Sequence, residues 1–293
     1  MPSRSANTLC GFVTDLHGHR DRYQKLFDWI AAARPGYVLI GGDILPREKI
    51  GSNPKTPATI PFVDQYLIPE LQRLRRQLGA LYPVIFIILG NDDIKLAEST
   101  LEQGASDGYW IYLHARSHQA SGYIFRGYSY IPPTPFRLKD WERYDVSHYV
   151  DPGCIPPEEG FFSVPVDEHE KRYATISADL TRLAAEPELS RTIMLFHAPP
   201  YNTPLDRAAL DGRVIDHVPL DVHIGSIAIR NFIESAQPLL TLHGHVHESA
   251  RLTGQWGMRL GRTFAFSAAH DGPELALVRF ELENLAGAER LVI

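Results

Sequence analysis

Side chains that commonly bind metal ions stand at the ends of several short apolar runs in this sequence. There are seven of them: Asp15, His17, Asp43, Asn91, His197, His245 and His247. Each run is bounded by polar or turn-forming residues and therefore predicts a strand that delivers these side chains at its C-terminal end. In open α/β sheets, ligands and catalytic groups collect at that end because the loops there converge over a rigid scaffold. The set predicts a two-metal hydrolytic site.

The spacing within two of these groups supports the same chemistry. Side chains alternate between the two faces of an extended chain, so residues two apart point the same way. Asp15 and His17 form such a pair, as do His245 and His247, and Gly244 allows the backbone to turn tightly and approach an ion closely. One pair alone is weak support, because such pairs are often surface residues. Five strand ends that carry suitable residue types are much harder to obtain by accident.

The order of these groups resembles the motifs of the calcineurin-like metallophosphoesterases. The pattern of that family is D-x-H, then G-D, then G-N-H-D/E, then a lone histidine, then G-H-x-H. In the same order this chain has Asp15-Leu16-His17, Gly42-Asp43, Gly90-Asn91-Asp92-Asp93, His197 and Gly244-His245-Val246-His247. The resemblance extends from residue 9 to about residue 250, and the combined motif is highly specific.

The resemblance implies a dinuclear centre in which a bridging, metal-activated hydroxide attacks phosphorus. One metal would be held by Asp15, His17 and His247, the other by Asn91, His197 and His245, and Asp43 would bridge the two. Two divalent cations against two carboxylates leave a net positive charge, which attracts a phosphate and acidifies the bridging water. Imidazole, carboxylate and amide ligands without a thiolate suit manganese, iron or zinc, and the sequence does not choose among these metals.

Two positions depart from the family pattern. Pro46 stands three residues after Asp43, where one variant of the motif has a second acid, and we regard this change as minor. Asp92 occupies the position of the histidine that assists the leaving group in most members. Nearby cations should lower the pKa of Asp92, so that it is ionised near neutral pH and cannot donate a proton. We therefore expect a slower enzyme, or a substrate whose leaving group needs little protonation, such as an activated ester or a nucleotide.

Other histidines are candidates for the missing acid. His19 follows the first motif by two residues and is the first choice, although a water-facing histidine at a helix N-terminus is the alternative. His217 and His223 lie in the long loop at about residues 198–224, and loops of that length are usually functional or disordered. His243 is interpreted as a strand-end residue beside the site rather than a ligand. The remaining histidines are expected to be solvated or in the core.

An aromatic and proline-rich insertion covers about residues 109–162. Proline stiffens such segments, and aromatic side chains give them packing of their own. A packed surface loop is the simpler interpretation, and a wall of the substrate site is the alternative, in which Trp141 or Phe136 stacks on a base or an aryl group. The residues that would then bind substrate are Arg137, Lys139, Trp141 and Arg143, with the metal ligand Asn91.

Length and composition are those of one catalytic domain. The chain has 293 residues, 44% of them hydrophobic, and no Gly/Ser linker or repeat divides it, so we expect a single domain over residues 1–293. No apolar run approaches the roughly 20 residues that span a bilayer, and residues 1–8 contain no hydrophobic signal segment. Cys10 and Cys154 do not make a disulfide framework, so a cytoplasmic location is expected.

The charge distribution argues against a protein that binds long nucleic acid. Its net charge is −6, whereas such binding needs a Lys/Arg surface that neutralises many phosphates. The one basic cluster, Arg73, Arg75 and Arg76, is expected to form the solvated face of a helix.

Three classes of function stay open. The first is a metal-dependent phosphoesterase acting on a small phosphodiester, phosphomonoester or nucleotide. The second is a nuclease with the same chemistry on a polymer, and the third is a non-catalytic scaffold. The acidic net charge disfavours the second, and the third is disfavoured because all seven ligand positions keep coordinating side chains, whereas scaffolds usually lose some of them.

Strand and helix patterns alternate along most of the chain. Strands are predicted at residues 9–14, 37–42, 84–89, 192–196 and 239–242, and helices at residues 20–33, 62–78, 168–185 and 226–235. Two consecutive strands, at residues 263–267 and 275–282, follow. This order predicts a layered α/β architecture with a mixed second sheet. The resemblance implies two mixed β-sheets packed as a sandwich, with helices on the outer faces.

Overall fold

Strands and helices alternate through the chain in this computed structural model, which describes residues 7–47, 59–184 and 188–293. The strands are β1 (Leu9–Val13), β2 (Tyr37–Gly41), β3 (Val84–Ile88), β4 (Ile111–Tyr112), β5 (Ser117–Ala120), β6 (Tyr123–Tyr128), β7 (Thr192–Phe196), β8 (Val214–Ile215), β9 (Val218–Pro219), β10 (Leu240–His243), β11 (Gly257–Leu260), β12 (Thr263–Ser267), β13 (Ala276–Glu281) and β14 (Asn284–Val292). The α-helices are α1 (Arg20–Ala33), α2 (Thr59–Phe62), α3 (Ile68–Leu78), α4 (Glu98–Ser106), α5 (Glu168–Tyr173), α6 (Ile176–Ala184), α7 (Ile227–Ala236) and α8 (Ser249–Thr253).

Two six-stranded mixed sheets contain all of these strands except β8 and β9, which pair as a small hairpin. The first sheet has the order β14-β13-β1-β2-β3-β4, in which β1 to β4 run parallel. The second has the order β11-β12-β10-β7-β6-β5, in which β12, β10, β7 and β6 run parallel. The predicted layered α/β class and the two mixed sheets are therefore confirmed. Because β1, β2 and β3 are neighbours, as are β7 and β10, the C-terminal ends of the motif-bearing strands meet at one edge of each sheet.

Two buried hydrophobic clusters explain why these strands are apolar along almost their whole length. One cluster joins the facing sides of the two sheets, with Phe12 from the first sheet and Leu242 from the second among its members. The other joins the outer sides to the helices, where Val38 packs in one cluster with Leu26 and Ile30 of α1. A strand covered on both faces needs apolar side chains on both. This double burial fixes the strand ends rigidly enough to position a site.

The predicted elements agree with the structure in the motif-bearing part of the chain and differ elsewhere. The helix predicted at residues 62–78 contains a π-helical turn at Val63–Leu67 before α3. The helix predicted at residues 168–185 is interrupted, because the backbone N–H of Ile176 bonds to the carbonyl oxygen of Tyr144 instead of continuing α5. Ala185 and residues 1–6 of the predicted N-terminal stretch lie outside the described residues.

The aromatic and proline-rich segment begins with three strands that its composition does not predict. Strand β4 extends the first sheet, while β6 pairs with β7 in the second sheet and β5 forms its edge. The rest of the segment packs through large side chains, and Trp141 is fully buried. Short, irregular strands of this kind are fixed by their neighbours in the sheets, which periodicity along the chain does not reveal.

His114 connects the two sheets beneath this segment. Its Nδ1 accepts a hydrogen bond of 3.1 Å from the backbone N–H of Ser129, and its ring lies 4.8 Å from the ring of Trp141, centroid to centroid. Burial, with the nearby charges of Lys95 and Arg143, lowers the pKa of His114 to about 3. The neutral ring is thus the form that the fold stabilises.

We expect His114 to make the protein less stable in acid. A histidine whose pKa falls from 6.5 in the unfolded chain to about 3 in the folded chain contributes its full stability above pH 6.5 and loses it as the pH falls toward 3. Asparagine keeps an acceptor for Ser129 but does not titrate. His114→Asn should therefore reduce the loss of unfolding free energy between pH 7 and pH 5 by about 1–2 kcal/mol.

Urea denaturation of both proteins at the two pH values measures this difference. The same substitution at the exposed His148 is the control and should leave the pH dependence unchanged. An equal loss of stability in His114→Asn and the parent protein would contradict the assignment.

Candidate metal centre

The structure brings the seven predicted ligands together at the C-terminal ends of five strands. They follow β1 (Asp15 and His17), β2 (Asp43), β3 (Asn91), β7 (His197) and β10 (His245 and His247). Three of the strands belong to one sheet and two to the other. The cluster therefore lies where the two sheets meet, and neither sheet alone carries a complete set.

Four of the side chains form a compact group: Asp15, His17, Asp43 and His247. Each offers one ligand atom, and these atoms all lie within 4.8 Å of one another. The Nε2 atoms of His17 and His247 are 3.3 Å apart, and Nε2 of His247 is 3.2 Å from Oδ1 of Asp15. Only one of two facing ring nitrogens can carry a hydrogen between them, so at least one of the two presents a lone pair to this space.

The remaining ligands gather around His197, which is fully buried. Its Nε2 lies 3.1 Å from Oδ1 of Asn91 and 3.4 Å from Oδ2 of Asp43. Its Nδ1 donates to the carbonyl oxygen of Gly41 at 2.8 Å, so in a neutral ring Nε2 is the lone-pair atom. The ring of His245 lies 5.4 Å from that of His197.

Asp43 stands between the two groups. Its Oδ2 is 3.9 Å from Nε2 of His17 in the first group and 3.4 Å from Nε2 of His197 in the second. Its other oxygen, Oδ1, accepts the backbone N–H of Asp92 at 2.8 Å. One carboxylate oxygen is thereby fixed by the backbone, and the other faces imidazoles of both groups.

The backbone is left-handed at four of the ligands. The φ angles are 56° at Asp15, 47° at His17, 50° at Asp43 and 71° at His245. For a residue with a Cβ atom, a left-handed backbone conformation lowers the stability of the fold by of order 1–3 kcal/mol. It persists only when the surrounding structure fixes it. The sharp bends explain why the carboxylates and imidazoles turn inward so soon after their strands end.

Backbone hydrogen bonds between the loops hold these bends. The N–H of Asp15 donates to the carbonyl oxygen of Gly42 at 3.0 Å, and the N–H of His17 donates to that of Asp43 at 2.7 Å. Across the two sheets, the N–H of His245 donates to the Asp15 carboxylate at 3.1 Å. The loop after β1 is therefore held by hydrogen bonds to the loops after β2 and β10.

Asp93 fastens two ligand loops from below. This fully buried carboxylate accepts backbone N–H groups of Ile44 at 3.1 Å, Leu45 at 2.8 Å and Gly90 at 2.9 Å. Burial and the nearby charge of Asp43 raise its pKa, although the three N–H groups oppose that shift. The loops that carry Asp43 and Asn91 are therefore joined through one side chain.

Two glycines leave room for this crowding. A Cβ atom on Gly90 would lie 2.4 Å from Oδ1 of Asp43 and 2.6 Å from Nε2 of His197. A Cβ atom on Gly244 would lie 2.8 Å from Oδ2 of Asp15. These separations are far below van der Waals contact, so the two motif glycines are needed for close approach of the ligands rather than for an unusual φ.

The two buried carboxylates and the histidines shift one another's ionisation. Burial alone would raise the pKa of Asp15, but His247 and His197 lower it to about 2. Asp43 likewise has a lowered pKa, because His197 and His17 outweigh burial. Burial would lower the pKa of His197, yet Asp43 raises it to about 10. Burial lowers the pKa of His17 to about 4 and that of His245 to about 3.

These features fit a bound metal cation. Two ionised carboxylates converge with imidazoles, of which those of His17 and His245 are held neutral by burial, and lone pairs that face one another repel unless positive charge lies among them. Within the described residues, the buried Nδ1 of His17 has no hydrogen-bond partner. The mixture of nitrogen and oxygen donors without sulfur is one that transition metals accept.

Asp92 accepts a strong hydrogen bond from a residue that the motif analysis does not identify. Nε of Arg47 donates to Oδ2 of Asp92 at 2.6 Å, and the same oxygen lies 3.6 Å from Nδ1 of His17. With protein charges alone, burial and Asp43 raise the pKa of Asp92 to about 6, and Arg47 opposes the shift. The low pKa expected from the sequence refers to the site with cations bound, and it stays a prediction.

The histidines outside the cluster have various environments. His19 is exposed immediately before α1, and burial and the charges of Arg22 and Arg47 lower its pKa. His217 is exposed at the turn of the β8–β9 hairpin, and Nδ1 of His223 lies 2.8 Å from the buried Asp206 carboxylate. His243 is buried at the end of β10 and bonds to the carbonyl oxygen of Ala198, as expected for a residue beside the site. The catalytic role predicted for His19 stays a prediction.

The residues predicted to bind substrate differ in their accessibility. Lys139 and Trp141 are fully buried, and Nζ of Lys139 bonds to the Glu142 carboxylate. Arg143 pairs with Asp179, and Arg137 is exposed. Burial of Lys139 and Trp141 favours the packed-loop interpretation of their segment, because a substrate would not reach either side chain in this conformation.

Sequence reasoning gave no role to three residues that hold the centre: Arg22, Arg47 and Asp93. Arg47 lies four residues after Asp43, and Asp93 is the last residue of the motif Gly90-Asn91-Asp92-Asp93. The sequence positions of both could therefore have indicated a role at the site. Arg22 had none, since it is one more polar residue in the first turns of a helix.

Comparisons with known proteins show the family of this chain. A family model described as calcineurin-like phosphoesterase matches residues 10–249. A search of curated proteins finds no match. One solved structure aligns with a TM-score of 0.57 at 17% identity over 98% of both chains. Protein TT1561 of Thermus thermophilus aligns with a TM-score of 0.51 at 15% identity, over 97% of this chain and 98% of that one.

A further structure, a dimetal phosphatase from Danio rerio, aligns with a TM-score of 0.46 at 15% identity over 98% of this chain and 99% of that one. The two structures with TM-scores of 0.57 and 0.51 are similar to this chain in fold. Among the helices of the described residues, none is long and apolar enough to cross a membrane.

Asp93→Asn should loosen the centre. The amide keeps one oxygen acceptor, but its NH₂ group would face a backbone N–H, leaving at least one buried donor unsatisfied at a cost of about 1–3 kcal/mol. We expect the unfolding free energy in urea to fall by that amount at pH 7, and affinity for Mn²⁺ to fall with it. Asp64→Asn, at an exposed position, should change neither. Unchanged stability and Mn²⁺ affinity in Asp93→Asn would refute the fastening role of this carboxylate.

Proposed function

Since the chain belongs to the calcineurin-like phosphoesterase family, we propose that it is a metal-dependent hydrolase of a small phosphodiester, phosphomonoester or nucleotide. The observation that carries this proposal is the convergence of ligand atoms from Asp15, His17, Asp43 and His247 within 4.8 Å. Strained backbone and buried carboxylates each lower the stability of a fold. Their presence in one cluster is typical of a functional site.

We propose two metal ions, manganese, iron or zinc. Asp15, His17 and His247 would hold one ion, Asn91, His197 and His245 the other, and Asp43 would be shared. Support for the shared role is that Oδ2 of Asp43 faces His17 and His197 at 3.9 and 3.4 Å. Bound cations of this kind attract a phosphoryl group and make water a stronger nucleophile at neutral pH.

The protein's own contribution is to fix the ligands before a substrate arrives. Asp93 joins the loops of Asp43 and Asn91, and the Gly41 carbonyl sets the ring orientation of His197. Ligands fixed in this way need little reorganisation during the reaction, which is the condition for strong electrostatic stabilisation of a transition state. Asn91 can also donate from its amide group to a phosphoryl oxygen.

Among the described residues, Arg47 is the one that we propose to contact the leaving group of the substrate. Asp92 holds its Nε, and 62% of the Arg47 side chain is exposed, so an anionic oxygen can approach it from solvent. A guanidinium binds phosphoryl oxygens and stabilises negative charge without giving up a proton. We therefore propose that Asp92 orients Arg47, and that the leaving group departs with little protonation.

The substrate is proposed to be small. Net charge of −6 disfavours a long polyanion, and the exposed Arg137 and Phe136 are the members of the proline-rich segment that could contact a second phosphate or an aryl group. A single domain over residues 1–293 and a cytoplasmic location also stay proposals.

Activity should depend on two bound metal ions and on Asp43. We expect elemental analysis after Mn²⁺ loading to give two ions per chain, and a panel of small phosphoesters to contain at least one that is hydrolysed faster than a nucleic acid polymer. Asp43→Asn should lower kcat by two orders of magnitude or more, at about 1.4 kcal/mol per tenfold, because it weakens the group shared by both ions.

Asp107→Asn, at an exposed position just after α4, is the matched control and should keep full activity. A metal content fixed at zero or one under saturating Mn²⁺ would remove the dinuclear mechanism. Normal turnover by Asp43→Asn would remove the shared role of that carboxylate.

The rate should depend steeply on the leaving group. Without a histidine at position 92, alkyl esters should be cleaved on the order of 100-fold or more slowly than aryl esters with acidic phenols, since general acid catalysis contributes about 10²–10⁴-fold. Asp92→His should relieve this dependence, because an imidazole titrates near neutral pH and can donate a proton. Rates for a series of esters plotted against leaving-group pKa measure the effect in metal-saturated proteins.

Asp64→His controls for an added histidine elsewhere on the surface and should leave the slope as it is. A natural protein whose rates do not vary with leaving-group pKa, and whose Asp92→His variant behaves identically, would mean that another residue donates the proton. His19→Ala, followed by His217→Ala and His223→Ala, would then identify it.

A further inference from the structure

Arg22 joins the first ligand loop to residues 268–275, the loop that passes from the second sheet back to the first. It lies in the first turn of α1 and is only 9% exposed. Its Nη1 donates to the carbonyl oxygen of Asp15 at 2.7 Å, and its Nη2 donates to the carbonyl oxygen of Gly272. Asp15 follows β1 in the first sheet, whereas Gly272 lies in residues 268–275, which connect β12 of the second sheet with β13.

Both acceptors are backbone oxygens, which is an unusual use of a buried charge. Burial lowers the pKa of Arg22, and the carboxylates of Asp15 and Glu274 raise it without reversing the shift. Burying a guanidinium is costly unless its donors are satisfied and an opposite charge lies near. An apolar residue would be easier to bury at this position. What the arginine provides there is a fixed link between the carbonyl oxygens of Asp15 and Gly272.

That link acts on a strained residue. Asp15 has a φ of 56°, and its N–H and carboxylate are already bound by the Gly42 carbonyl and the His245 N–H. The carbonyl oxygen of Asp15 is the remaining backbone group that could rotate, and Arg22 holds it. With the backbone of Asp15 held on both sides and its carboxylate bound by the His245 N–H, the carboxylate lies beside the ligand atoms of His17 and His247.

We propose that Arg22 is a positioning residue that holds the Asp15 carboxylate in its ligand geometry and ties residues 268–275 to the rim of the metal centre. The proposal rests on the metal-binding function proposed above. A planar guanidinium spans two carbonyl oxygens with two nitrogens held in a fixed fork, whereas the single ammonium of lysine has no such fork.

The test compares Arg22→Met, which removes the donors but keeps an unbranched side chain, with the parent protein. Calorimetric titration with Mn²⁺ should give a dissociation constant raised about 10-fold to 100-fold, the loss expected for a hydrogen bond from a charged group. Arg76→Met, at an exposed position of α3, is the matched control and should keep the parent value. An unchanged dissociation constant in Arg22→Met would overturn the proposal.

A second measurement needs no metal. In the presence of a chelator, backbone amide exchange within residues 268–275 should be at least about tenfold faster in Arg22→Met than in the parent protein or in Arg76→Met, because the tie to Gly272 is lost. Equal exchange rates would overturn the link between the loops. If the parent protein binds no Mn²⁺, the proposed function fails, and this exchange measurement still decides the role of Arg22.

Arg22→Lys decides the matter if Arg22→Met does not fold. Lysine keeps the positive charge but not the fork, so we expect a folded protein by circular dichroism with Mn²⁺ affinity weakened at least about threefold and faster exchange in residues 268–275. Parent-like affinity and exchange in Arg22→Lys would show that charge alone suffices, and the positioning role would be refuted.

Discussion

The structure depends on the enclosure of two carboxylates, Asp15 and Asp43, at the point where two sheets meet. Both are almost completely buried, and burial opposes their ionisation. Imidazoles from the opposite sheet lie beside them and lower their pKa values, His247 above all for Asp15 and His197 for Asp43. In a dry interior this charge pattern is stable only when each member has its partner, so one cluster of ligands requires both sheets to be in place at once.

The fold meets this requirement through rigid strands and strained ends. Double burial fixes β1, β2 and β3 on one side and β7 and β10 on the other, and the chain then bends within one or two residues to turn each ligand inward. Left-handed backbone at Asp15 and His245 would relax if its surroundings allowed it. The hydrogen bond from the His245 N–H to the Asp15 carboxylate shows how the two sheets prevent this, since each strained residue is held by one from the other sheet.

The replacement at position 92 changes how charge is arranged at the mouth of the centre. An imidazole there would be a proton donor, whereas the Asp92 carboxylate is an acceptor and holds Arg47. The positive group that faces solvent is thereby the guanidinium of Arg47. Asp93, the next residue, is turned the opposite way and binds backbone N–H groups in the interior. Two adjacent aspartates thus have different tasks because one faces the centre and the other faces the loops beneath it.

The fold class, the strands that carry the motifs and the candidate ligands at their ends could all be predicted from the amino-acid sequence. These properties are local: strand periodicity and motif spacing can be read along the chain, and β7 and α1 have the predicted bounds. The sequence did not predict β4, β5 and β6, the interruption after α5 or the burial of Trp141, because these depend on partners far away in the chain. The clearest case is Arg22, which looks like any polar residue of an amphipathic helix. Its partner Gly272 is 250 positions away, and only the packing of α1 on the outer face of the first sheet brings that carbonyl oxygen within hydrogen-bond distance.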